Sequence, residues 1–271
     1  MTEAASPTSS SRAGALVTPL VLTYNEEHNI GRTLAALAWA RRVVVLDSGS
    51  SDRTRAIAQG FPNVSWHVRP FDSHAQQWRF GIADTDIDTQ YVLALDADYR
   101  VTDAFVDELA GPFADGQFAG GVAAFDYHVF GQALVGSVYP AKLVVFDRKR
   151  VNVTQPGHSQ EMQVEGAVYR FKAHLIHDDR KPVDRFIRSQ TEYSRLEVGR
   201  LAGATHLRWQ DHVRRRGWMP LIAGLAAYCR AGGPWRGRAA LRYAYERAAF
   251  ECLLAMRVLE DNGRRDRSSA P

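Results

Sequence analysis

Cysteine is scarce: the 271 residues hold two, Cys229 and Cys252. Both sit in stretches that read as helical and at no metal-site spacing, which excludes a disulfide framework and makes a reducing compartment the default. Long apolar runs are missing too. The longest, Met219 to Cys229, is interrupted by Pro220 and Gly224 and falls well short of the ~20 residues that a membrane-spanning helix needs. The opening MTEAASPTSSSRAGA carries Glu3 and has no apolar h-region. It therefore reads as a disordered leader over residues 1–15 rather than a secretory signal, and a cytoplasmic protein is expected. The 21 glycines form neither GxGxxG nor GxxxxGK[ST], which argues against a dinucleotide-binding fold and against a phosphate-loop NTPase.

What is present is 45% hydrophobic and 24% charged residues, enough to bury a real core in one unit with an appendage. The net charge of +4 hides an asymmetry. Residues 181–271 hold 18 Lys/Arg against 9 Asp/Glu, leaving 16 against 21 in residues 1–180. A basic tail suits an anionic lipid surface or a phosphorylated ligand, and no nucleic-acid module accompanies it, so nucleic acid is not an expected partner. Because that tail is also rich in tryptophan (Trp209, Trp218, Trp235), peripheral contact with the inner face of an anionic membrane is expected.

Three short apolar runs end in polar or acidic residues: VTPLVLTYNEE (17–27), RVVVLDSGSSDRT (42–54) and TQYVLALDADYR (89–100). Each reads as a buried parallel strand followed by a functional loop. Helical stretches follow the first two, LAALAWA and the segment from Arg55 to Gln59. The alternation predicts a doubly wound, mostly parallel α/β sheet. FAGGVAAFDYHVF and AKLVVFDRKRV extend the sheet to about Val151, and VYRF adds a further strand before HLIHDDRK. From Pro182 the pattern turns helical, with RFIRSQTEYSRLEVGRL, MPLIAGLAAYC and ALRYAYERAAFECLLAMRVLE as three helices. In the last of these, Leu241, Tyr245, Ala248, Cys252, Met256 and Leu259 form an apolar stripe, which is expected to pack on a core. The expected division is a leader (1–15), a core domain (16–181), a helical basic extension (182–262) and a disordered tail (263–271).

In a sheet of this kind the ligand sits beyond the carboxyl ends of the strands, where Asn25, Asp47, Asp52, Asp96 and Asp98 collect. Asp96-Ala97-Asp98 is the most telling feature. Two carboxylates at i, i+2 offer oxygen ligands to a hard divalent cation, Mg²⁺ or Mn²⁺, whose shell a diphosphate can complete. Asp47 and Asp52 flank a Ser-Gly-Ser-Ser turn and are candidates to accept hydrogen bonds from a nucleobase or ribose, with helix capping the competing role for Asp52. Tyr24 can pack against a base face while Asn25 fixes the turn. Lys142, Arg180 and Lys181 are candidates to meet a phosphate.

VLTYNEEHNI, VVVLDSGSSDRT and LALDADYR, in this order and spacing, resemble the nucleotide-sugar half of a family 2 glycosyltransferase of the GT-A fold, over about residues 17–180. GHSQ, IHDDRKP and QTEYS are similar to the bacterial branch related to lipopolysaccharide-core glucosyltransferases of the WaaE type. The resemblance implies a nucleotide-diphosphate-sugar donor, UDP-linked at the family level, and a glycan or lipid-linked acceptor. It places Tyr24, Asn25, Glu26, Asp47, Asp52, Arg79, Asp96 and Lys142 at the donor, and Asp96, Asp98 and His177 at the metal. Arg79 stands where many relatives have Asn. For the catalytic base, family enzymes carry an acidic pair ahead of the histidine, whereas this chain has Gly157-His158-Ser159-Gln160-Glu161. Glu161 is favoured, with His158, Asp178 and Asp179 as the other candidates. The competing readings are a sugar-phosphate nucleotidyltransferase, whose glycine-rich basic loop TYNEEHN lacks, and a catalytically idle GT-A binding module in a polysaccharide assembly complex.

Overall fold

A computed structural model describes residues 8–154, 161–203 and 209–268, with side chains through Asn262. It divides into two compact units. The first contains the helices and strands up to Asp126, residues 139–154 and residues 161–180; the second contains Tyr127–Val138 and the helices after Lys181.

In chain order the elements are α1 (Ser9–Leu16), β1 (Val17–Thr23), α2 (Ile30–Ala35), β2 (Val43–Asp47), α3 (Thr54–Ala58), β3 (Val64–Val68), α4 (His74–Ala83), β4 (Tyr91–Asp96), β5 (Tyr99–Arg100) and α5 (Asp103–Leu109). There follow β6 (Gly120–Ala123), β7 (Phe125–Val129), β8 (Gln132–Ala133), β9 (Lys142–Asp147), β10 (Val151–Thr154), β11 (Glu161–Val164), β12 (Val168–Arg170) and β13 (Leu175–His177). The helices α6 (Val183–Gly203), α7 (Trp209–Arg215), α8 (Met219–Arg230) and α9 (Gly237–Ser268) close the chain.

The first unit is built on a seven-stranded sheet in the order β12-β6-β9-β4-β1-β2-β3. Strands β3, β2, β1 and β4 run parallel, β9 is antiparallel to both its neighbours, and β12 is parallel to β6. This is the mixed, mostly parallel architecture that the sequence predicts. Period-2 alternation sorts the side chains of each strand to opposite faces. Val43, Val45, Leu93 and Leu95 join one core with Ile30, Leu34 and Phe105. Val44, Leu46, Val92 and Ala94 join the other with Trp78 and Phe146. Register aligns Thr23 with Asp47 and Leu22 with Asp96, so the polar residues after three strands emerge at one sheet edge.

Several expectations need correction. Residues 9–16 form a helix rather than a disordered leader, because Thr8 caps it, its Oγ1 accepting from Ser11 N–H at 3.3 Å, and Ala13 is fully buried. FAGGVAAFDYHVF splits at Ala124, and β6 alone of its two strands joins the main sheet. LAALAWA continues α2 only to Ala35, the rest winding into three-residue turns such as Ala40 N–H to Leu37 C=O. Strand β3 escapes the sequence reading because Val-Ser-Trp-His-Val is half-buried at the sheet edge and lacks an apolar run.

The domain boundary also differs, since Tyr127–Val138 belongs with the helical unit. Within that unit Val138 N–H donates to Tyr243 Oη at 2.9 Å, Val135 N–H to Ala231 C=O at 3.1 Å and Arg230 Nε to Ser137 C=O at 2.7 Å. The connection from Val129 to Gln132 uses Phe130 and Gly131, both with positive φ, the two-residue hairpin geometry that matches strand twist. Among the helices, Leu201, Leu254 and Val258 form a small core. Glu197, Asp211 and Glu251 are buried and paired with Arg200 and Arg214. Helix α9 runs to Ser268 instead of ending before a disordered tail, and its stripe does not pack on a core: Leu241, Tyr245, Met256 and Leu259 are all exposed.

Gly121 gives a direct test of the first unit's packing. A Cβ there would lie 2.5 Å from the Phe171 ring and 2.9 Å from that of Phe113, two rings stacked at 5.8 Å. Overpacking of this kind costs about 1–3 kcal/mol. Gly121→Ala is expected to lower the urea midpoint accordingly; an unchanged midpoint at unchanged slope counts against the packing.

Candidate active site

The loop after β1 and the loop after β2 are tied to each other. Asn25 sits at φ 52°, a left-handed conformation that asparagine tolerates. Its N–H donates to Ser50 Oγ at 2.7 Å and its Oδ1 accepts from Ser51 N–H at 2.7 Å. Glu26 N–H donates to Thr54 Oγ1, and Glu26 Oε2 accepts from Asn29 Nδ2 at 2.8 Å. Asp47 is buried, with Oδ2 accepting from Gly49 and Ser50 N–H groups and Oδ1 from Ser50 Oγ. Asp52 Oδ1 accepts from Thr54 N–H at 2.9 Å, and its Oδ2 from Glu27 N–H at 3.2 Å.

Asn25, Glu26, Asp47 and Asp52 are thus gathered in one place, where their side chains shape the loops. For Asp52 the local turn role is realised. Tyr24, in contrast, is 49% exposed at the end of β1 and presents a ring surface. Arg79 is placed elsewhere: from α4 its Nη2 donates to Val153 C=O at 2.5 Å, so it braces β10 rather than joining the strand-end carboxylates.

The second cluster forms around Asp96-Ala97-Asp98. Thr33 Oγ1, on α2, holds the Ala97 carbonyl at 2.6 Å. Antiparallel pairing of β5 with β13 sets His177 opposite Tyr99, and Asp178 N–H donates to Asp98 C=O at 3.1 Å. In consequence His177 Nε2 lies 3.4 Å from Asp98 Oδ2, both side chains being about one-tenth exposed. Asp96 is more open, and Lys142 Nζ approaches its Oδ2 to 3.9 Å.

Lys142 is held in an aromatic box that the sequence does not announce. Its Nζ donates to Tyr99 Oη at 2.8 Å and lies 4.7 Å from the centre of the Tyr139 ring. Tyr139 and His177 rings are 4.7 Å apart, and the Tyr99 and Tyr139 hydroxyls share a hydrogen bond. Burial works against the Lys142 charge, but Asp96 and the Tyr139 oxygen more than offset it and raise its pKa above 10.5. Burial, then the neighbouring Asp96, push the Tyr99 phenol well above 10. At neutral pH the site therefore presents a fixed ammonium beside a neutral phenol.

Asp178 cannot serve as a base. It is 1% exposed, and its Oδ2 accepts from Arg32 and from Arg180 Nε and Nη2. Burial alone raises its pKa; the two guanidiniums outweigh burial and lower it, so it stays ionised and bound. Arg180 is likewise committed to Asp178. Asp179 Oδ1 accepts from Asn29 Nδ2 at 3.0 Å. Glu161, first residue of β11, is exposed, and His158 lies outside the described residues. Arg32 and Asn29 are the structural partners that sequence reasoning missed; both stand in Asn29-Ile30-Gly31-Arg32, one helical turn apart, and the polar pair at the head of an apolar helix was the available signal.

The donor set suits a hard or borderline divalent cation: carboxylate oxygens from Asp96 and Asp98 and an imidazole nitrogen from His177. No group of three or more His, Cys, Asp or Glu arranged to hold a metal occurs among the described residues. Such cations commonly take one or two protein carboxylates and complete their shell with water and substrate phosphates, so the residues present fit a cation that arrives with a diphosphate.

The model of the glycosyl transferase family 2 domain matches residues 20–175. The lipopolysaccharide core biosynthesis glycosyltransferase LpsC of Rhizobium meliloti (strain 1021) is 28% identical over 88 residues, which are 31% of this chain and 32% of that relative. The match thus spans about a third of the relative's length. Among solved structures, S. aureus TarS 1-349 covers 92% of this chain and 91% of its own at 14% identity and a TM-score of 0.46. Glucosyl-3-phosphoglycerate synthase from Mycobacterium tuberculosis, in complex with Mn²⁺, UDP and glucosyl-3-phosphoglycerate, covers 71% of this chain and 82% of its own at 15% identity and a TM-score of 0.44. With more than half of its residues matched by the family model, from β1 through the Leu175 that opens β13, this chain belongs to glycosyl transferase family 2.

Proposed function

We propose that this chain is an inverting glycosyltransferase that moves a sugar from a nucleoside-diphosphate donor, a UDP-sugar, to a hydroxyl of a cell-envelope glycan or lipid-linked acceptor. The observation that carries the reading is the convergence of Asp96, Asp98 and His177 at the carboxyl end of β4, beside a lysine whose charge is held in place. Family membership supports the reaction class. The name of the rhizobial relative supports an envelope-glycan acceptor.

Asp98 and His177 would hold the divalent cation, with Asp96 toward the ribose; when bound, such a cation acts as a Lewis acid on the departing diphosphate. Tyr24 flanks the base. Lys142 adds a second positive charge where negative charge accumulates on the leaving group, and its box keeps it from reorganising as the reaction proceeds. Glu161 takes the proton of the acceptor hydroxyl, the one described candidate whose carboxylate is exposed. The acceptor oxygen then forms its bond to C1 from the face opposite the nucleotide while the bond from C1 to the diphosphate oxygen breaks. The electron pair leaves with the nucleoside diphosphate, and the anomeric configuration inverts.

Calorimetric titration of UDP, GDP, CDP and their sugar conjugates with Mn²⁺ tests the donor site. One nucleotide is expected to bind in a metal-dependent way, with at least roughly tenfold weaker binding in Asp98→Ala, a loss of about 1.4 kcal/mol. If folded wild-type protein binds none of them, the reading is wrong and an idle module takes its place. For the base, Glu161→Gln is expected to lower kcat by about 10²-fold or more, the scale of general-base catalysis, with donor KM little changed. Retention of wild-type kcat would remove Glu161 from that role.

A further inference from the structure

Helix α8 is packed inside out. Apart from Met219, which is buried, its inward side is small: Ala227 is fully buried, and a Cβ on Gly224 would lie 3.2 Å from Ala248 Cβ of α9. Most of its large apolar residues face outward instead. Trp218, Leu221, Ile222 and Leu225 recur at spacings of three and four and are 62, 70, 44 and 67% exposed, which marks one continuous face. Trp235, in the 3₁₀ turn Gly233–Arg236 that follows, is 90% exposed. On the neighbouring α9, Tyr245, Met256 and Leu259 are exposed as well, the last close to Gly217 at the foot of α8. A monomer in water does not ordinarily leave an apolar patch of this extent uncovered.

The charge around the patch identifies its occupant. From His212 to Tyr245 the chain carries seven arginines and no Asp, Glu or Lys. Of these, Arg215, Arg216, Arg230, Arg236 and Arg238 are exposed, whereas Arg214 is committed to Glu251 and Arg242 to Glu246. A second copy of the chain seated on this face by two-fold symmetry would oppose arginine to arginine. An anionic bilayer presents the complementary arrangement, with apolar chains below a negative headgroup layer, and tryptophan and arginine are suited to that boundary.

We infer that the α8 face, with Trp235 and the exposed stripe of α9, is a docking surface for an anionic lipid bilayer, on which α8 lies in the plane of the interface. The inference concerns the helical unit and does not depend on the transfer reaction, because vesicle binding is read without any substrate.

The test is co-flotation of the full chain with phosphatidylcholine vesicles containing about 30 mol% phosphatidylglycerol, against pure phosphatidylcholine, with intrinsic tryptophan emission as the second readout. Binding to the anionic vesicles with a blue shift of emission is expected. Leu221→Glu/Leu225→Glu is expected to reduce partitioning at least tenfold while thermal unfolding stays cooperative, since both side chains already face water. Arg236→Ser/Arg238→Ser provides a second test that makes no demand on the apolar face, with a loss on the order of fivefold for each charge and stronger salt sensitivity in the wild type. Three results would each overturn the inference: no binding of wild-type protein to anionic vesicles, unchanged partitioning in both variants, or a wild-type dimer that the leucine variant turns into a monomer without any vesicle binding.

Discussion

The site depends on a ladder of two residue pairs. Tyr99 opposite His177 and Arg100 opposite Ile176 are the whole of the β5–β13 pairing, yet this pairing brings the end of the family-matched region back to the carboxylates after β4. So short a ladder is marginal by itself. It is held because Asp178, the next residue, is buried between Arg32 of α2 and Arg180. A carboxylate taken out of water is costly unless it is paired, so the two guanidiniums add to the hold that β13 already has on its other side from β7. Asn29 adds to the restraint, since its amide donates to Asp179 while its carbonyl oxygen accepts from Arg180 N–H. The position of His177 is therefore set jointly by strand pairing with β5 and β7 and by charge satisfaction one residue away.

That arrangement explains which parts of the site were legible beforehand. The strands β1, β2 and β4 are buried on both faces and read as apolar runs, so the residues at their ends were placed correctly at one sheet edge. The roles of those residues were harder to read. A carboxylate in a Ser- and Gly-rich loop serves equally well as a ligand group or as an acceptor for its neighbours' N–H groups, and Asp47 and Asp52 make the second kind of contact extensively. Asp178 is a similar case: in HLIHDDRK nothing distinguishes it from Asp179, and only the tertiary contact with Arg32 removes it from the candidate bases. The aromatic box was illegible for a different reason. Tyr99, Phe125, Tyr139 and His177 come from four segments whose proximity depends on strand pairing, and no local pattern carries that information.

Helical periodicity had its own blind spot. The stripe on α9 is a real stripe, but periodicity reports that apolar residues share a face without reporting which way the face points. What orients α9 is a competing set of residues: Tyr243, Leu254 and Val258 are buried in the helix interior of this unit, and Glu251 is drawn in by Arg214. A buried glutamate on the flank shared with Leu254 and Val258 outweighs the hydrophobic pattern, because leaving Arg214 and Glu251 unpaired at that depth is worse than exposing a methionine and two leucines.

The same buried network changes how the charge of the helical unit should be counted. Three of the nine acidic residues after Lys181 (Glu197, Asp211 and Glu251) are internal, and they neutralise two arginines, Arg200 and Arg214. Removing both sets from the tally leaves the exterior more basic than composition alone indicates. Of the sequestered acids, Asp211 immediately precedes the arginine-rich stretch, while Glu246, which follows it, is paired with Arg242. Had Asp211 been exposed, its charge would have fallen beside Arg215 and Arg216 and weakened their field within a Debye length. Burying it with Arg200 keeps its charge inside, so the pairing that fixes α7 against α6 also leaves the field of Arg215 and Arg216 unopposed by Asp211.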